Sequence, residues 1–117
     1  MSWLETPAPD SPGRRLRQLV ETEFLMVPGV FNPLVGLAAR AAGFKALYLS
    51  GAALSASLGL ADVGLLGVGQ LAGAVRGIVE ATGLPVVVDA DTGFGGPLQA
   101  ARAARELELA GAAAMQI

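Results

Sequence analysis

The stretch that decides the fold runs from Leu84 to Gly96 and reads L-P-V-V-V-D-A-D-T-G-F-G-G. Its three consecutive valines predict a strand covered on both faces, as parallel strands in α/β proteins are. Because side chains alternate along a strand, Asp89 and Asp91 are expected to point the same way at its carboxyl end. In open α/β sheets and in barrels, ligands gather at that end.

Asp89 and Asp91 form a carboxylate pair two positions apart. Such a pair stays ionised at low cost only when a cation or hydrogen-bond donors lie nearby. Oxygen ligands with vacant positions suit Mg²⁺ or Mn²⁺. The alternative is that both aspartates accept backbone hydrogen bonds in a βα turn, where Asp is common. The D-x-D pattern alone is a weak motif and leaves both interpretations open.

Strands and helices alternate on both sides of this stretch. Three further strands are predicted, at residues 24–30, 46–50 and 112–117. Four helices are predicted, one opening at Ser11-Pro12 and the others at about 32–42, 70–82 and 97–110, with residues 54–69 as a long loop containing glycines. This alternation predicts a parallel sheet with right-handed crossovers.

The βα units recur every ~30–40 residues, the size expected for a barrel of about 250 residues. The predicted fold class is therefore α/β, the amino-terminal half of a (β/α)8 TIM barrel. Residues 1–12 are expected to be a disordered tail, and residues 13–117 a partial barrel that stops within its fourth strand. A doubly wound open sheet is the alternative, although no G-x-G-x-x-G follows the first strand. Four strands cannot close a barrel and leave an open edge. We therefore expect either that the chain is a truncated gene product or fragment, or that it needs a partner to complete its core.

The composition limits the classes of function. The sequence is 53% hydrophobic with a net charge of -2, which gives no basic footprint for nucleic acid. No membrane-spanning segment and no signal peptide are recognisable, so a cytoplasmic location is expected. The sequence contains neither Cys nor His, which excludes disulfides, thiol nucleophiles and imidazole triads.

Four motifs occur in order and together resemble a known family. They are V-P-G at 27–29, A-L-Y-L-S-G-A-A at 46–53, G-L-A-D-V-G at 59–64 and L-P-V-V-V-D-A-D-T-G-F-G at 84–95. Over residues 13–117 the sequence is similar to the isocitrate lyase/phosphoenolpyruvate mutase superfamily, and within it to the 2-methylisocitrate lyases. The resemblance implies a (β/α)8 barrel, usually tetrameric, that needs magnesium. It also implies a carbon–carbon lyase that cleaves 2-methylisocitrate to pyruvate and succinate.

The resemblance also implies roles for individual residues. Asp91 is expected to bind the metal, Asp89 to support it directly or through water, and Asp62 to reach the water shell of the metal. A substrate that is a small 2-hydroxy tricarboxylate or 2-oxo acid is expected to meet a second group of residues, namely Tyr48, Ser50, Gly51 and Ala52.

The sequence also departs from the family pattern. The lyases carry a K-K-C-G-H loop after the fourth strand, whose Cys protonates the departing succinate, and no Cys is present here. The chain is therefore expected to contain no catalytic acid and to be inactive by itself. The alternatives are a non-catalytic half-barrel that associates with itself or another half, a metal or carboxylate binder, or a sister activity. The sister activities are oxaloacetate decarboxylase, phosphonopyruvate hydrolase and phosphoenolpyruvate mutase.

Overall fold

The computed structural model of the chain describes residues 11–117, and the tail predicted at 1–12 lies outside them except for its last two residues. Nine elements follow one another in the described part of the chain. They are α1 (Pro12–Thr22), β1 (Gly29–Val30), α2 (Pro33–Ala41), β2 (Leu47–Leu49), α3 (Gly51–Ser57), α4 (Val68–Thr82), β3 (Val86–Asp89), α5 (Pro97–Leu109) and β4 (Ala114–Gln116).

The four strands form one parallel sheet in the order β1-β2-β3-β4. Each strand lies beside the next one in the chain, and at least one helix fills every connection. This is the architecture of the first four strands of a (β/α)8 barrel with the three helical crossovers that join them, so the predicted fold class is confirmed.

The sheet buries one face beneath the helices. The side chains on that face are fully buried and pack against α4 and α5, and they are Val30, Leu47, Leu49, Val86 and Val88. The other face carries Tyr48 and Val87, which are only half-buried. The valine run was predicted to be covered on both faces, but the helices in residues 11–117 cover one.

The first strand is much shorter than predicted. Only Gly29 and Val30 pair with β2, whereas residues 24–30 were predicted to be extended throughout. Tyr48 donates its N–H to the Pro28 oxygen at 2.9 Å, but Pro28 has no N–H to continue the ladder. Phe24 and Met26, which precede Pro28 in the chain, are 92% and 66% exposed. The prediction failed because an apolar run predicts a strand even where no neighbouring strand is available.

A helix replaces the first part of the predicted loop at 54–69. α3 begins at Gly51, where the Ser50 Oγ caps it by accepting the N–H of Ala53 at 3.2 Å. It ends before Gly59, which adopts a left-handed φ of 73°. The irregular loop is therefore confined to residues 58–67, since α4 begins at Val68.

The first helix lies at the amino ends of the strands. Arg15 Nη1 donates to the Gly83 oxygen at 3.1 Å, just before β3. At Gly13, an added Cβ would lie 2.9 Å from the Ala113 oxygen, just before β4. None of the helices between residues 11 and 117 combines the length and hydropathy that a membrane crossing requires.

Candidate metal and substrate site

A cavity of about 140 Å³ lies at the carboxyl ends of the strands. Three segments build it: the first two turns of α3, the loop before α4, and the turn after β3. Its lining includes the three aspartates singled out in the sequence, Asp62, Asp89 and Asp91, together with Ser55 and Phe94. The fold therefore brings the predicted metal-binding residues to one place.

Asp89 ends β3 and is held by two backbone donors. Its Oδ1 accepts the N–H of Asp91 at 3.1 Å, and its Oδ2 accepts the N–H of Gly51 at 3.3 Å. These bonds fix the carboxylate between β3 and α3. They also agree with the interpretation that Asp89 serves the βα turn. Each carboxylate oxygen keeps a second lone pair, so both can still face a cation.

The turn after β3 has an unusual backbone. Asp91 and Phe94 adopt left-handed φ angles of 52° and 66°, which cost energy for residues with a Cβ. Gly93 and Gly95 also have positive φ, 92° and 143°, at no such cost. The expected alternation that would place Asp89 and Asp91 on the same side stops at this turn. Instead, the turn itself returns Asp91 to the cavity.

The loop before α4 closes the cavity opposite this turn. A Cβ added at Gly64 would lie 3.4 Å from the Asp91 Oδ2, and that glycine has a φ of 73°. Asp62, two residues earlier, lines the same cavity. The loop at residues 58–67, which is neither helix nor strand, therefore brings a third carboxylate to the cavity.

The carboxylates of the cavity could bind a hard divalent cation only in an open site, where other ligands complete the coordination shell. Across residues 11–117, no three acidic side chains converge closely enough to form a ready three-ligand cage. Magnesium, however, is commonly bound by one or two carboxylates, with water and substrate completing its shell. Asp89 and Asp91 can supply such a pair, and their assignment as metal ligands remains a prediction.

The predicted substrate-binding residues lie beside this cavity. Ser50 uses its Oγ as the cap of α3, and Gly51 gives its N–H to Asp89, so that donor is not free for a ligand. Ala52 occupies the second helical position, where the N–H has no partner within the helix. Of the predicted turn, the Ser50 hydroxyl proton and the Ala52 N–H are thus the groups left to donate.

Tyr48 projects from β2 onto the uncovered face of the sheet. Its hydroxyl donates to the Gln116 Oε1 at 2.8 Å. Burial raises the pKa of Tyr48 above its ordinary 10.0, and the nearby charge of Asp89 raises it further. Tyr48 is therefore a neutral phenol at physiological pH.

Three residues of the site were missed in the sequence. Ser55 was placed in a loop, and only the helical geometry of α3 turns its side chain, 3% exposed, to the cavity. Phe94 was regarded as part of a glycine turn, yet it lines the cavity. Gln116 could have been found, because β4 predicted as a parallel strand places its carboxyl end beside Asp89.

Comparisons with known proteins identify the family of the chain. A family model described as phosphoenolpyruvate phosphomutase matches residues 16–117. The 2-methylisocitrate lyase of Aeropyrum pernix is 48% identical over 118 residues, covering all of this chain and 38% of that protein. The chain spans only about two fifths of the curated relatives it matches, 38–40% for three of them.

Two solved structures share the fold. The phosphoenolpyruvate phosphomutase of Streptomyces platensis subsp. rosaceus is 37% identical, with a TM-score of 0.85 over 90% of this chain and 37% of its own. A phosphonopyruvate hydrolase in complex with oxalate and Mg²⁺ is 31% identical, with a TM-score of 0.84 over 90% and 38% of the two chains. The chain belongs to the phosphoenolpyruvate phosphomutase family, within the isocitrate lyase/phosphoenolpyruvate mutase superfamily.

Proposed function

We infer that the chain supplies the metal-binding and part of the substrate-binding region of a magnesium-dependent carbon–carbon lyase acting on 2-methylisocitrate. One observation carries the proposal: Asp62 from the loop before α4, and Asp89 and Asp91 from the end of β3 and its turn, line one cavity at the carboxyl ends of the strands. The relatives named 2-methylisocitrate lyase favour this substrate over those of the sister enzymes.

The chain's own residues have distinct roles in this proposal. Asp91 and Asp89 hold Mg²⁺, or Mn²⁺ in its place, and Asp62 accepts hydrogen bonds from the water around the ion. The Ser50 hydroxyl and the Ala52 N–H bind a substrate carboxylate. When bound, the metal supplies a Lewis acid for the charge that develops as the carbon–carbon bond breaks.

The 117 residues contain no Cys and no His, so they hold no thiol or imidazole acid for the departing succinate. A general acid is typically worth 10²–10⁴-fold in rate, approximately. We therefore expect that this chain alone does not turn over substrate. The proposal also includes that the enzyme to which it contributes is a homo-oligomer, as the resemblance to the superfamily implies.

A chimera tests this function. The present chain would replace the matched segment of the A. pernix lyase, and pyruvate release from 2-methylisocitrate would be measured with and without Mg²⁺. We expect magnesium-dependent release, lowered at least ~100-fold by Asp91→Ala. Glu21→Ala is the matched control, because it removes an exposed carboxylate from α1, at the other end of the sheet. A folded chimera that releases no pyruvate from 2-methylisocitrate, but forms it from phosphonopyruvate or oxaloacetate, would transfer the proposal to a sister activity.

The second candidate is a non-catalytic half-barrel that associates with itself or with another half. The observation in its favour is the uncovered face of the sheet, together with apolar side chains near its first edge. Phe24 is 92% exposed and Leu34 is 74% exposed. Sedimentation distinguishes this candidate from the first, because only this one requires the 117-residue chain to associate.

A further inference from the structure

The strongest unassigned feature is a side-chain bridge over the uncovered face of the sheet. Tyr48 on β2 pairs in register with Val87 on β3, and Asp89 on β3 pairs with Gln116 on β4. β2 and β4 are not neighbours, yet the Tyr48 hydroxyl reaches the Gln116 Oε1 at 2.8 Å. The bond therefore passes over β3, close to Val87, and ties three strands together on the side where the candidate site lies.

The bond decides which polar groups this face offers. A phenol has one proton, and Tyr48 gives it to Gln116 at a distance typical of a good O–H···O bond. The oxygen of Tyr48 is left with lone pairs only. The amide nitrogen of Gln116, whose oxygen is engaged, keeps two N–H donors.

We propose that Gln116 is a positioning residue that holds the Tyr48 proton away from the bound ligand, so that this face presents a phenol acceptor beside amide donors. This inference rests on the proposed function, in which the ligand is a 2-hydroxy acid. Its hydroxyl donates to the oxygen of Tyr48, and one of its carboxylates accepts from the Gln116 amide. Gln116 thereby acts on the hydroxyl-bearing end of the ligand through Tyr48.

The direction of the bond can be measured at neutral pH. Tyr48 is the one tyrosine of the sequence, so the tyrosine Raman doublet, whose intensity ratio separates donating from accepting phenols, reports on this residue alone. We expect a donor signature in the unmodified chain, and the same signature in Gln116→Glu, which retains an acceptor oxygen. Gln116→Leu should move the ratio toward that of a hydrated phenol, and Tyr48→Phe supplies the blank.

The unmodified chain alone can overturn the proposal, whatever the variants do to folding. An acceptor signature there would mean that Gln116 donates to Tyr48, and the positioning role would be refuted. An unchanged ratio in a Gln116→Leu variant with the circular dichroism of the original chain would refute it equally.

The ligand part is tested separately with oxalate and Mg²⁺ by calorimetry. Gln116→Glu removes the amide donors and adds a negative charge, so we expect oxalate affinity to fall at least ~10-fold. Equal affinity in the variant would refute the amide contact. If the unmodified chain binds no oxalate, the ligand contact is refuted, whereas the proposed function is decided by the chimera, and a donor signature would still uphold the positioning of the Tyr48 proton.

Discussion

At the residue scale, Asp89 shows how two interpretations of one motif can hold together. The sequence allowed the carboxylate either to face a cation or to bind backbone N–H groups. The structure gives it two N–H partners, from Asp91 and Gly51, and still leaves it facing the cavity. The pattern of valines and aspartates predicted where the carboxylates lie. It could not predict that Asp91 reaches the cavity through a left-handed φ, because backbone angles in a turn depend on the packing around it.

The first prediction concerns the pKa of Tyr48. Burial and the charge of Asp89 both raise it above 10.0, so Asp89→Asn should lower it while burial keeps it above 10.0. Because the folded pKa is the higher one, the stabilisation is complete below pH 10.0 and is lost as pH rises toward the folded value. Tyrosinate absorbance during an alkaline titration measures this pKa directly, since Tyr48 is the one tyrosine.

Asp62→Asn is the matched control for this titration. It removes a carboxylate from the same cavity, but Asp62 is not among the causes of the Tyr48 shift. We expect the pKa of Tyr48 to stay unchanged in this variant. An equal decrease in both variants would show that the influence of Asp89 had been misassigned.

At the element scale, β2, β3 and β4 were predictable from the sequence, whereas the length of β1 and the existence of α3 were not. β3 was predicted at residues 85–89 and is found at Val86–Asp89, because three β-branched residues precede the turn. α3 was missed because Gly51 and Gly59 look like turn residues, whereas here they begin and follow a helix of small side chains. The length of β1 depended on what neighbours it, which no local pattern contains.

The cap of α3 gives the second prediction. Ser50→Ala removes the oxygen that accepts the N–H of Ala53, so the free energy of unfolding in urea should fall by about 1 kcal/mol. Ser57→Ala is the comparison, because its hydroxyl lies in the last turn of the same helix and donates to the Leu54 oxygen. That substitution should change the free energy by less than about 0.5 kcal/mol. Equal losses would mean that Ser50 does not stabilise α3 as a cap.

Packing between α2 and α4 gives the third prediction. A Cβ at Gly36 would lie 3.0 Å from the Thr82 Cγ2 and 3.4 Å from the Ile78 Cγ2. Thr82 cannot rotate away freely, because its hydroxyl donates to the Ile78 oxygen at 2.7 Å and accepts from the Leu84 N–H. Gly36→Ala should therefore lower the free energy of unfolding, by about 1 kcal/mol after the helix-propensity gain.

Gly73→Ala makes the same change in chemistry without the crowding. Gly73 lies within α4, and nothing lies within 4 Å of the added Cβ. This variant should be more stable by about 0.5–1 kcal/mol. A stabilising Gly36→Ala would show that the two helices can separate at little cost.

At the scale of the whole molecule, helices cover one face of the sheet in residues 11–117 and leave the other face uncovered. The helices bury the outer face of the sheet, and the inner face holds the candidate site. Each of β1 and β4 pairs with one neighbour in residues 11–117, and both are edge strands. Open edges with apolar side chains nearby favour association.

The fourth prediction follows from the apolar first edge. Sedimentation velocity of the 117-residue chain should show association that increases with concentration, and Phe24→Lys should weaken it. Leu98→Lys is the control, since Leu98 is 82% exposed but lies at the start of α5, and both variants change the net charge equally. A folded chain that sediments as a monomer across the concentration range would refute association through this edge.

The Tyr48–Gln116 bond also has a consequence for biosynthesis. The two residues are 68 positions apart, so a ribosome must release almost seventy residues after the phenol before its acceptor emerges. During that interval the phenol lacks this partner. In refolding of the purified chain, the spectrum of this one chromophore would therefore date the arrival of β4 beside β3, without any attached label.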